Sequence, residues 1–421
     1  MTIAFVTLGC KLNYAETATW ERAFIKAGLE VVPWQGGADI FVVNTCSVTA
    51  TADRKSRSEI RKLHRINPDA LIAVSGCSAQ LRRPEIAAIE GVALVFGTEE
   101  KAALVPSVLK AAGLETGEPG GAGKEAGDKG FFAAYSSGED RTRAFLKVQD
   151  GCNNRCAYCT VPMARGTSRN APVCEIVRQA EAIAAAGVRE VVLTGVNTGD
   201  FGRSTGESFL DLLKALDAVE GIERYRISSI EPNLITDEIV DWAASGTKIA
   251  PHFHIPLQVG DDGLLRRMGR RYTTEDFAGR LECIRRRFEG PGRPGVFFGI
   301  DVMTGLPGET DEVFERSKAF IGGVRPSFIH VFPYSRRPGT AAARMPDQVP
   351  EQVKAMRVKS LEELSRRLHE EFLQANKGLP EKALFESAVR DGMMSGYTGN
   401  YIRVSRPYDP SLVGRLTDVI I

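Results

Sequence analysis

The chain has 421 residues, 43% of them hydrophobic and 25% charged, with a formal net charge of +1. This is the composition of an ordinary globular protein of about three domains, and the small net charge excludes a general basic field for nucleic acid. No apolar run approaches the ~20 residues of a membrane span, and residues 1–5 begin a strand pattern rather than a signal peptide. Eight cysteines are too few for a secreted disulfide scaffold. We expect a cytoplasmic protein without membrane contact, whose reduced thiols can bind metal.

Short apolar runs alternate with helical patterns in the first part of the chain. The predicted strands are residues 3–9, 40–44, 70–75 and 92–96. The predicted helices are residues 14–27, 49–66, 84–89 and 99–112. Strands that alternate with helices in this way form a parallel sheet with both faces covered. We therefore predict a doubly wound α/β domain over residues 1–113.

Three cysteines of this domain occupy the same topological position. Cys10, Cys46 and Cys77 each end one of the first three predicted strands. Ligands of parallel sheets bind beyond the carboxyl ends of the strands. Any one of these cysteines can be a packing residue, but three at one edge favour a shared metal site. Gly9 and Gly76 directly precede two of them, where a backbone without Cβ can turn tightly around a ligand.

The helix predicted after Cys46 is strongly basic. Between residues 54 and 65 it has one acidic residue, Glu59, against the basic residues Arg54, Lys55, Arg57, Arg61, Lys62 and Arg65. Such a run is usually a solvated face, but the same charges at helical spacing can contact phosphates. Both interpretations stay open from the sequence.

A glycine-rich stretch separates the first domain from the next. Residues 115–130 contain six glycines and one proline in sixteen residues, without apolar periodicity. We predict a flexible linker over residues 114–140.

The most informative motif follows this linker. Cys152, Cys156 and Cys159 form a C-x3-C-x2-C spacing directly after an apolar run at residues 144–148. Three thiolates at this spacing can hold three corners of a cubane iron–sulfur cluster and leave the fourth iron open for a small molecule. A structural zinc site needs a fourth ligand, which this stretch lacks. Disulfide-bonded or inert buried cysteines are weaker alternatives.

Six strand-plus-helix units then follow, fewer than the eight of a full TIM barrel. The predicted strands are residues 144–149, 190–195, 224–230, 252–258, 296–304 and 327–334. Polar motifs stand at the carboxyl ends of several strands, where barrel enzymes place their chemistry. We assign no role to the strand histidines His252 and His254, and we expect Cys174 and Cys283 to be packing residues.

The carboxyl-terminal part begins after a long helix predicted over residues 350–377, which Gly378 ends. Short strands are predicted at residues 382–389, 397–404 and 412–421. Residues 378–421 carry five basic and five acidic side chains, so they have no net electrostatic footprint. Tyr397, Tyr401 and Tyr408 can either stack on bases or serve packing.

The C-x3-C-x2-C motif with Tyr158 resembles the signature of the radical S-adenosylmethionine (SAM) superfamily, and residues 152–170 resemble its methylthiotransferase branch. The resemblance implies that SAM binds the open iron and is cleaved to a 5′-deoxyadenosyl radical. It implies a partial (β/α)6 barrel, which we place with its connecting helix at residues 141–376, and a TRAM RNA-binding β-barrel at residues 377–421. It also implies that Cys10, Cys46 and Cys77 hold a second [4Fe–4S] cluster, which carries the sulfur to be inserted.

The resemblance further implies the residues that contact SAM. They are Tyr158, Asn197, Ser229, Glu231, Gln258 and, in the cluster loop, Arg169. Glu231 precedes a proline and can alternatively cap the next helix. Family members commonly have Gln-Ser-Gly-Ser at residues 258–261, whereas this chain has Val259 and Asp261 at the two serine positions.

The implied activity is insertion of a methylthio group at C2 of N6-threonylcarbamoyladenosine 37 in the tRNA anticodon stem-loop. A sulfur donor and a low-potential electron donor are implied partners. Residues 7–16 resemble the threonylcarbamoyladenosine branch of the family, since the other branches usually differ after the first cysteine. The alternatives are the isopentenyladenosine branch, the ribosomal-protein aspartate branch, or a non-catalytic iron–sulfur protein that binds RNA or senses redox state.

Overall fold

The computed structural model describes residues 1–114, 130–136 and 142–421. Its amino-terminal unit is a parallel sheet of five strands. The strands are β1 (Thr2–Thr7), β2 (Glu30–Val31), β3 (Ile40–Thr45), β4 (Leu71–Gly76) and β5 (Val92–Val95). Their order is β2-β1-β3-β4-β5. The helices of this unit are α1 (Lys11–Lys26), α2 (Ala50–Ile66), α3 (Cys77–Leu81), α4 (Arg83–Ala87) and α5 (Leu104–Ala111).

Helices cover both faces of this sheet because its central strands are apolar on both sides. All six residues of β3 are buried. Phe41 and Val43 pack against Ile60 of α2, whereas Val42 packs on the opposite face with Trp20 of α1 and with α5. The predicted α/β arrangement with a parallel sheet is confirmed, and the two-residue β2 is an addition that is too short to read from the sequence.

The predicted linker lies partly outside the described residues, which omit 115–129 and 137–141. Residues 130–136 are packed rather than flexible. Phe131 is 3% exposed and Ala134 is fully buried. Tyr135 forms an antiparallel bridge with Leu146 of the following strand. This part of the linker prediction is wrong because the glycine-rich composition stops at Gly130, and the aromatic residues after it enter the core.

The central region contains two parallel three-stranded sheets. The strands are β6 (Arg143–Lys147), β7 (Glu190–Thr194), β8 (Arg224–Ile227), β9 (His252–His254), β10 (Phe297–Thr304) and β11 (Phe328–Pro333). One sheet has the order β6-β7-β8 and the other β11-β10-β9. A parallel bridge between Tyr225 and Ile249 joins them, so the six strands form one open arc.

Helices cover the outer side of this arc. They are α7 (Val173–Ala185), α8 (Phe209–Asp217), α9 (Asp237–Ala243), α11 (Thr274–Phe288), α12 (Asp311–Val324) and α13 (Glu351–Asn376). One large apolar core lies between the strands and these helices. Two short helices lie elsewhere: α6 (Val161–Arg165) contacts α3 of the amino-terminal unit, and α10 (Asp262–Arg267) packs in a separate cluster with Ala157. Helix α1 of the amino-terminal unit packs against the edge strand β6. No helix among the described residues is both long and apolar enough to cross a membrane.

The carboxyl-terminal unit is a four-stranded antiparallel sheet. Its strands are β12 (Pro380–Arg390), β13 (Met393–Thr398), β14 (Arg403–Pro407) and β15 (Leu416–Ile420), in the order β14-β13-β12-β15. The strand predicted over residues 397–404 is wrong, because those residues span the turn between β13 and β14. Tyr401 has a left-handed backbone there, with φ of 63°.

This sheet packs against the amino-terminal ends of the barrel strands. Arg226 donates hydrogen bonds to the carbonyls of Thr398 (2.6 Å) and Gly399 (2.7 Å). The rings of Tyr397 and Tyr401 stack on each other with centroids 4.9 Å apart. These two tyrosines therefore serve packing in this structure, and of the three only Tyr408 is exposed.

Candidate functional site

The structure brings Cys10, Cys46 and Cys77 to one edge of the amino-terminal sheet. They follow the carboxyl ends of the neighbouring strands β1, β3 and β4. Cys10 precedes α1 and Cys77 is the first residue of α3. Burial raises the pKa of the Cys46 thiol to about 11, and the nearby Cys77 and Cys10 add to this rise. The three thiols are thus close enough to affect each other electrostatically.

Two glycines allow the chain to turn at this edge. Gly9 and Gly76 have φ angles of 104° and 102°, which side-chain-bearing residues rarely adopt. A Cβ atom on Gly9 would lie 2.8 Å from the Sγ atom of Cys46. A Cβ atom on Gly76 would lie 2.4 Å from the carbonyl oxygen of Thr45. A larger residue at position 9 would displace the Cys46 side chain, and one at position 76 would displace the backbone just before Cys46, so the close packing at this edge requires both glycines.

The second triplet lies on the loop that follows β6. Gly151 begins this loop with φ of 70°, and a Cβ atom there would lie 2.0 Å from the carbonyl oxygen of Thr167. The amide of Asn154 donates to Cys152 Sγ at 3.3 Å, and the amide of Val161 donates to Cys159 Sγ at 3.4 Å. The loop backbone is therefore arranged to stabilise negative charge on sulfur.

The residues present fit an iron–sulfur cluster at each triplet. Among residues 1–114, 130–136 and 142–421, no three His, Cys, Asp or Glu side chains converge as they do around a single metal ion. A four-iron cluster binds each thiolate through a different iron, so its ligands need not converge on one point. N–H donors to sulfur, such as those in the second loop, are a known determinant of cluster properties.

Arg270 holds together several predicted site residues, and sequence reasoning missed it. It lies just after α10, in a group of arginines whose spacing indicates a solvated surface. Its Nη1 atom donates to Cys156 Sγ at 3.2 Å and to Tyr158 Oη at 3.4 Å. Its Nη2 atom lies 2.8 Å from Glu231 Oε1, and its Nε atom donates to Tyr272 Oη at 3.1 Å. Arg270 thus connects the cluster loop to a polar strand end.

The strand ends themselves are also connected. The amide of Glu231 donates to Asn197 Oδ1 at 3.3 Å, and the carbonyl of Ser229 accepts from the amide of Thr198 at 3.1 Å. The carboxylate of Glu231 binds Arg270 and caps no helix, so the alternative capping role is wrong. Asn197, Ser229, Glu231 and Gln258 therefore follow the neighbouring strands β7, β8 and β9, and Tyr158 lies on the cluster loop. These are five of the six predicted SAM contacts.

Arg169 does not join this group. Its Nη1 atom donates to the carbonyls of Arg165 (2.6 Å) and Thr167 (3.1 Å), and its Nη2 atom lies 3.5 Å from Asp150. Its guanidinium therefore braces the loop instead of facing Glu231, and its predicted contact with SAM is not supported.

The two positions that depart from the family pattern have structural roles here. Val259 is fully buried in an apolar cluster. The side chain of Asp261 accepts from the amide of Leu264 at 3.0 Å and so caps α10, and it also pairs with Arg316 at 3.0 Å.

A fully buried polar network joins the two cysteine triplets. Arg165, at the end of α6, donates to Asn13 Oδ1 at 2.6 Å and to Asp150 Oδ1 at 2.9 Å. The Sγ atom of Cys10 lies 3.7 Å from the same Asn13 oxygen. The side chain of Asn13 thus connects Arg165, in the loop of the second triplet, to Cys10 of the first triplet.

Glu16 of α1 is the acidic centre of this network. Its Oε1 atom lies 2.6 Å from Lys101 Nζ, 2.8 Å from Lys147 Nζ and 3.2 Å from Arg165 Nη1. Burial alone would raise the pKa of Glu16, but these three cations hold it well below its usual value. Burial and the nearby Arg165 lower the pKa of Lys101 to about 8. The carboxylate of Glu16 is therefore ionised and binds the amino-terminal unit to the barrel.

Two family models match this chain. One is described as "Uncharacterized protein family UPF0004" and matches residues 2–97. The other is the Radical SAM superfamily, which matches residues 146–321. Each match contains one of the two cysteine triplets.

Named relatives and solved structures agree with these models. The chain is 41% identical to the threonylcarbamoyladenosine tRNA methylthiotransferase MtaB of Bacillus subtilis (strain 168), over 100% of this chain and 93% of that protein. It is 32% identical to a tRNA-2-methylthio-N(6)-dimethylallyladenosine synthase of Carboxydothermus hydrogenoformans, over 99% and 95% of the two chains. The structure of the radical SAM methyltransferase TsrM from Kitasatospora setae is similar in fold, with a TM-score of 0.58, 15% identity, and coverage of 94% of this chain and 80% of that one. The chain belongs to the radical SAM tRNA methylthiotransferase family.

Proposed function

We propose that this protein inserts a methylthio group at C2 of N6-threonylcarbamoyladenosine 37 in tRNA, using two [4Fe–4S] clusters and SAM. The observation that carries the proposal is the pairing of two cysteine triplets across a buried interface, in a chain that is 41% identical to a threonylcarbamoyladenosine tRNA methylthiotransferase. The net reaction replaces the C2–H bond of the base by a C2–S bond to a methylthio group. A sulfur donor and a low-potential electron donor are required partners.

This chemistry needs a radical because no general base can remove a proton from an unactivated aromatic carbon. When bound, the clusters and SAM supply a carbon-centred radical and a methylated sulfur. Cys152, Cys156 and Cys159 would hold the radical-generating cluster. The triplet Cys10, Cys46 and Cys77 would hold the sulfur-carrying cluster. Arg270 fixes the loop that carries Cys156 against Glu231. The network around Glu16 fixes the two triplets relative to each other.

The tRNA partner is supported by a basic face on α2. Lys55, Arg61, Lys62 and Arg65 are exposed on this helix, and Lys62 lies over the ring of Trp34 at 4.3 Å. We also assign residues 377–421 to a TRAM module that binds RNA. Its antiparallel sheet supports this assignment, whereas the rings of Tyr397 and Tyr401 stack on each other and serve packing.

Nucleoside mass spectrometry of tRNA from a deletion strain tests the substrate. We expect the methylthio derivative of threonylcarbamoyladenosine to vanish and to return with the wild-type gene. It should not return with a gene carrying alanine at Cys10, Cys46 and Cys77. Loss of a methylthio-isopentenyladenosine instead, with the threonylcarbamoyl product intact, would contradict the proposal.

The two-cluster assignment has its own test. After anaerobic reconstitution, wild-type protein should contain about eight irons, and each triple alanine variant about four. The variant that lacks Cys10, Cys46 and Cys77 should still form 5′-deoxyadenosine from SAM. A wild-type protein with about four irons would rule out the second cluster.

A further inference from the structure

One face of the second half-sheet carries polar side chains that the proposed cluster and SAM sites do not use. Asp301 of β10 is paired in register with His330 of β11, and Gly299 is paired with His254 of β9. Because side chains alternate along strands, the neighbouring Ile300 and other apolar residues point the opposite way, into the core under the helices. The polar set therefore faces the interior of the arc.

These groups form a connected patch that is open to solvent. The Nε2 atom of His254 lies 3.0 Å from Asp301 Oδ2, and the rings of His254 and His330 have centroids 5.2 Å apart. Phe332, two residues after His330 and on the same face, is 45% exposed. An exposed phenylalanine beside hydrogen-bonding groups is suited to stacking on a purine base.

Lys11 faces the same space from the amino-terminal unit. It is the first residue of α1, directly after Cys10. It is exposed, yet it interacts electrostatically with Arg143 and Arg226 of one half-sheet and with Asp301 of the other. Its ammonium is therefore within electrostatic range of both half-sheets, including His330 of the polar face.

The two arginines of this space are paired, whereas Lys11 is not, as far as the described residues extend. Arg226 is paired with Glu190, and Arg143 with Glu386. Within the described part of the chain, Lys11 forms no ion pair. A positive charge in this position favours a ligand that brings a negative group.

We propose that this interior face binds the substituted adenosine, and that Lys11 pairs with the carboxylate of its N6 substituent. The inference rests on the proposed function and identifies the chemical group by which the protein recognises its substrate. A threonylcarbamoyl substituent ends in a carboxylate, whereas an isopentenyl substituent is an uncharged hydrocarbon. The hydrocarbon would leave the ammonium unpaired, which is how a polar site rejects an analogue without the matching group. Lys11 also lies beside Cys10, so the substituent would be held next to the sulfur-carrying site.

Equilibrium binding of labelled anticodon stem-loops tests the inference. Fluorescence anisotropy is measured anaerobically on reconstituted protein without SAM, with stem-loops that carry threonylcarbamoyladenosine, its methyl ester or isopentenyladenosine. Wild-type protein should bind the acid about tenfold more tightly than the ester. The variant K11Q should bind acid and ester equally, and K11R should retain the preference. K26Q, at the exposed other end of α1, is the matched control and should behave as wild type.

Equal wild-type affinities for acid and ester would overturn the inference, as would a preference that persists in K11Q. The comparison of acid with ester in wild-type protein changes only the RNA, so it remains valid even if K11Q loses iron. Iron analysis of each variant detects such a loss. Failure of the proposed function is a separate result: wild-type protein would then form no methylthio product from the threonylcarbamoyladenosine stem-loop under turnover conditions.

Discussion

Arg270 shows how one residue can organise a site. Its guanidinium contacts Cys156, Tyr158, Glu231 and Tyr272 at once, and its side chain is 5% exposed. Burial alone would lower the pKa of Arg270, but Tyr158, Tyr272, Glu231 and Cys156 raise it. The planar fork of arginine makes this set of contacts, which an ammonium group cannot reproduce.

We predict that R270A lowers the rate of 5′-deoxyadenosine formation by about one to two orders of magnitude, because the carboxylate of Glu231 is left buried and unpaired. R270K should restore little, since a lysine cannot reach all four partners. The measurement is anaerobic cleavage of SAM by reconstituted enzyme, with iron content as a check on loading. R271A, one residue away and exposed, is the control. Equal rates in R270A and R271A would contradict this role.

The sequence predicts which cysteines are grouped together better than it predicts the residues that surround them. Cysteine spacing and strand ends identify both triplets, since those thiols have a distinctive chemistry. Arg270 stands among other arginines at residues 266–271, and nothing local separates the buried one from the exposed ones. The same limit applies to Arg169. Its proximity to the cysteine motif favours a contact with SAM, whereas in the structure its guanidinium donates to a backbone carbonyl of the same loop.

Secondary-structure elements, by contrast, follow from the pattern wherever strands are long and buried. The apolar strands β3 and β10 are predicted nearly in full. The short β2 and the turn at Tyr401 are not, because two residues make no pattern and a left-handed tyrosine gives no signal. Contacts between α1, α6 and β6 depend on tertiary structure, so the network that they share cannot be predicted from the sequence.

That network supports a prediction about stability. E16Q should lower the free energy of unfolding by about 3–5 kcal/mol, because the buried Lys101 loses its counter-charge and Lys147 and Arg165 keep only that of Asp150. Chemical denaturation of the apoprotein at neutral pH measures the effect. E30Q, on the exposed Glu30 of β2, should change the free energy of unfolding by less than about 0.5 kcal/mol. If the two variants unfold at the same denaturant concentration, the network does not stabilise the interface.

At the scale of the whole molecule, α2 connects the first triplet to the protein surface. Its buried side touches the triplet, since Ser56 Oγ donates to the carbonyl of Cys46 at 3.2 Å. Its amino-terminal end contacts the barrel, where the amide of Ala50 donates to Ser335 Oγ at 3.3 Å. From there the helix runs for 17 residues, or roughly 25 Å at the helical rise, and its basic side chains lie between Arg54 and Arg65. An anticodon stem that lies along this face would place its loop at the two triplets.

Charge reversal on this face tests that arrangement. The triple variant K55E/R61E/R65E should weaken tRNA binding at physiological salt by at least about tenfold and should lower the slope of log affinity against log salt by about one for each phosphate that is no longer neutralised. The control is R366E/R367E on α13, whose arginines are exposed but paired with Glu370 and Glu371. Anisotropy titrations at several salt concentrations give both quantities. A salt slope that stays at the wild-type value would show that the stem follows another surface, because a protein that neutralises fewer phosphates must release fewer counterions.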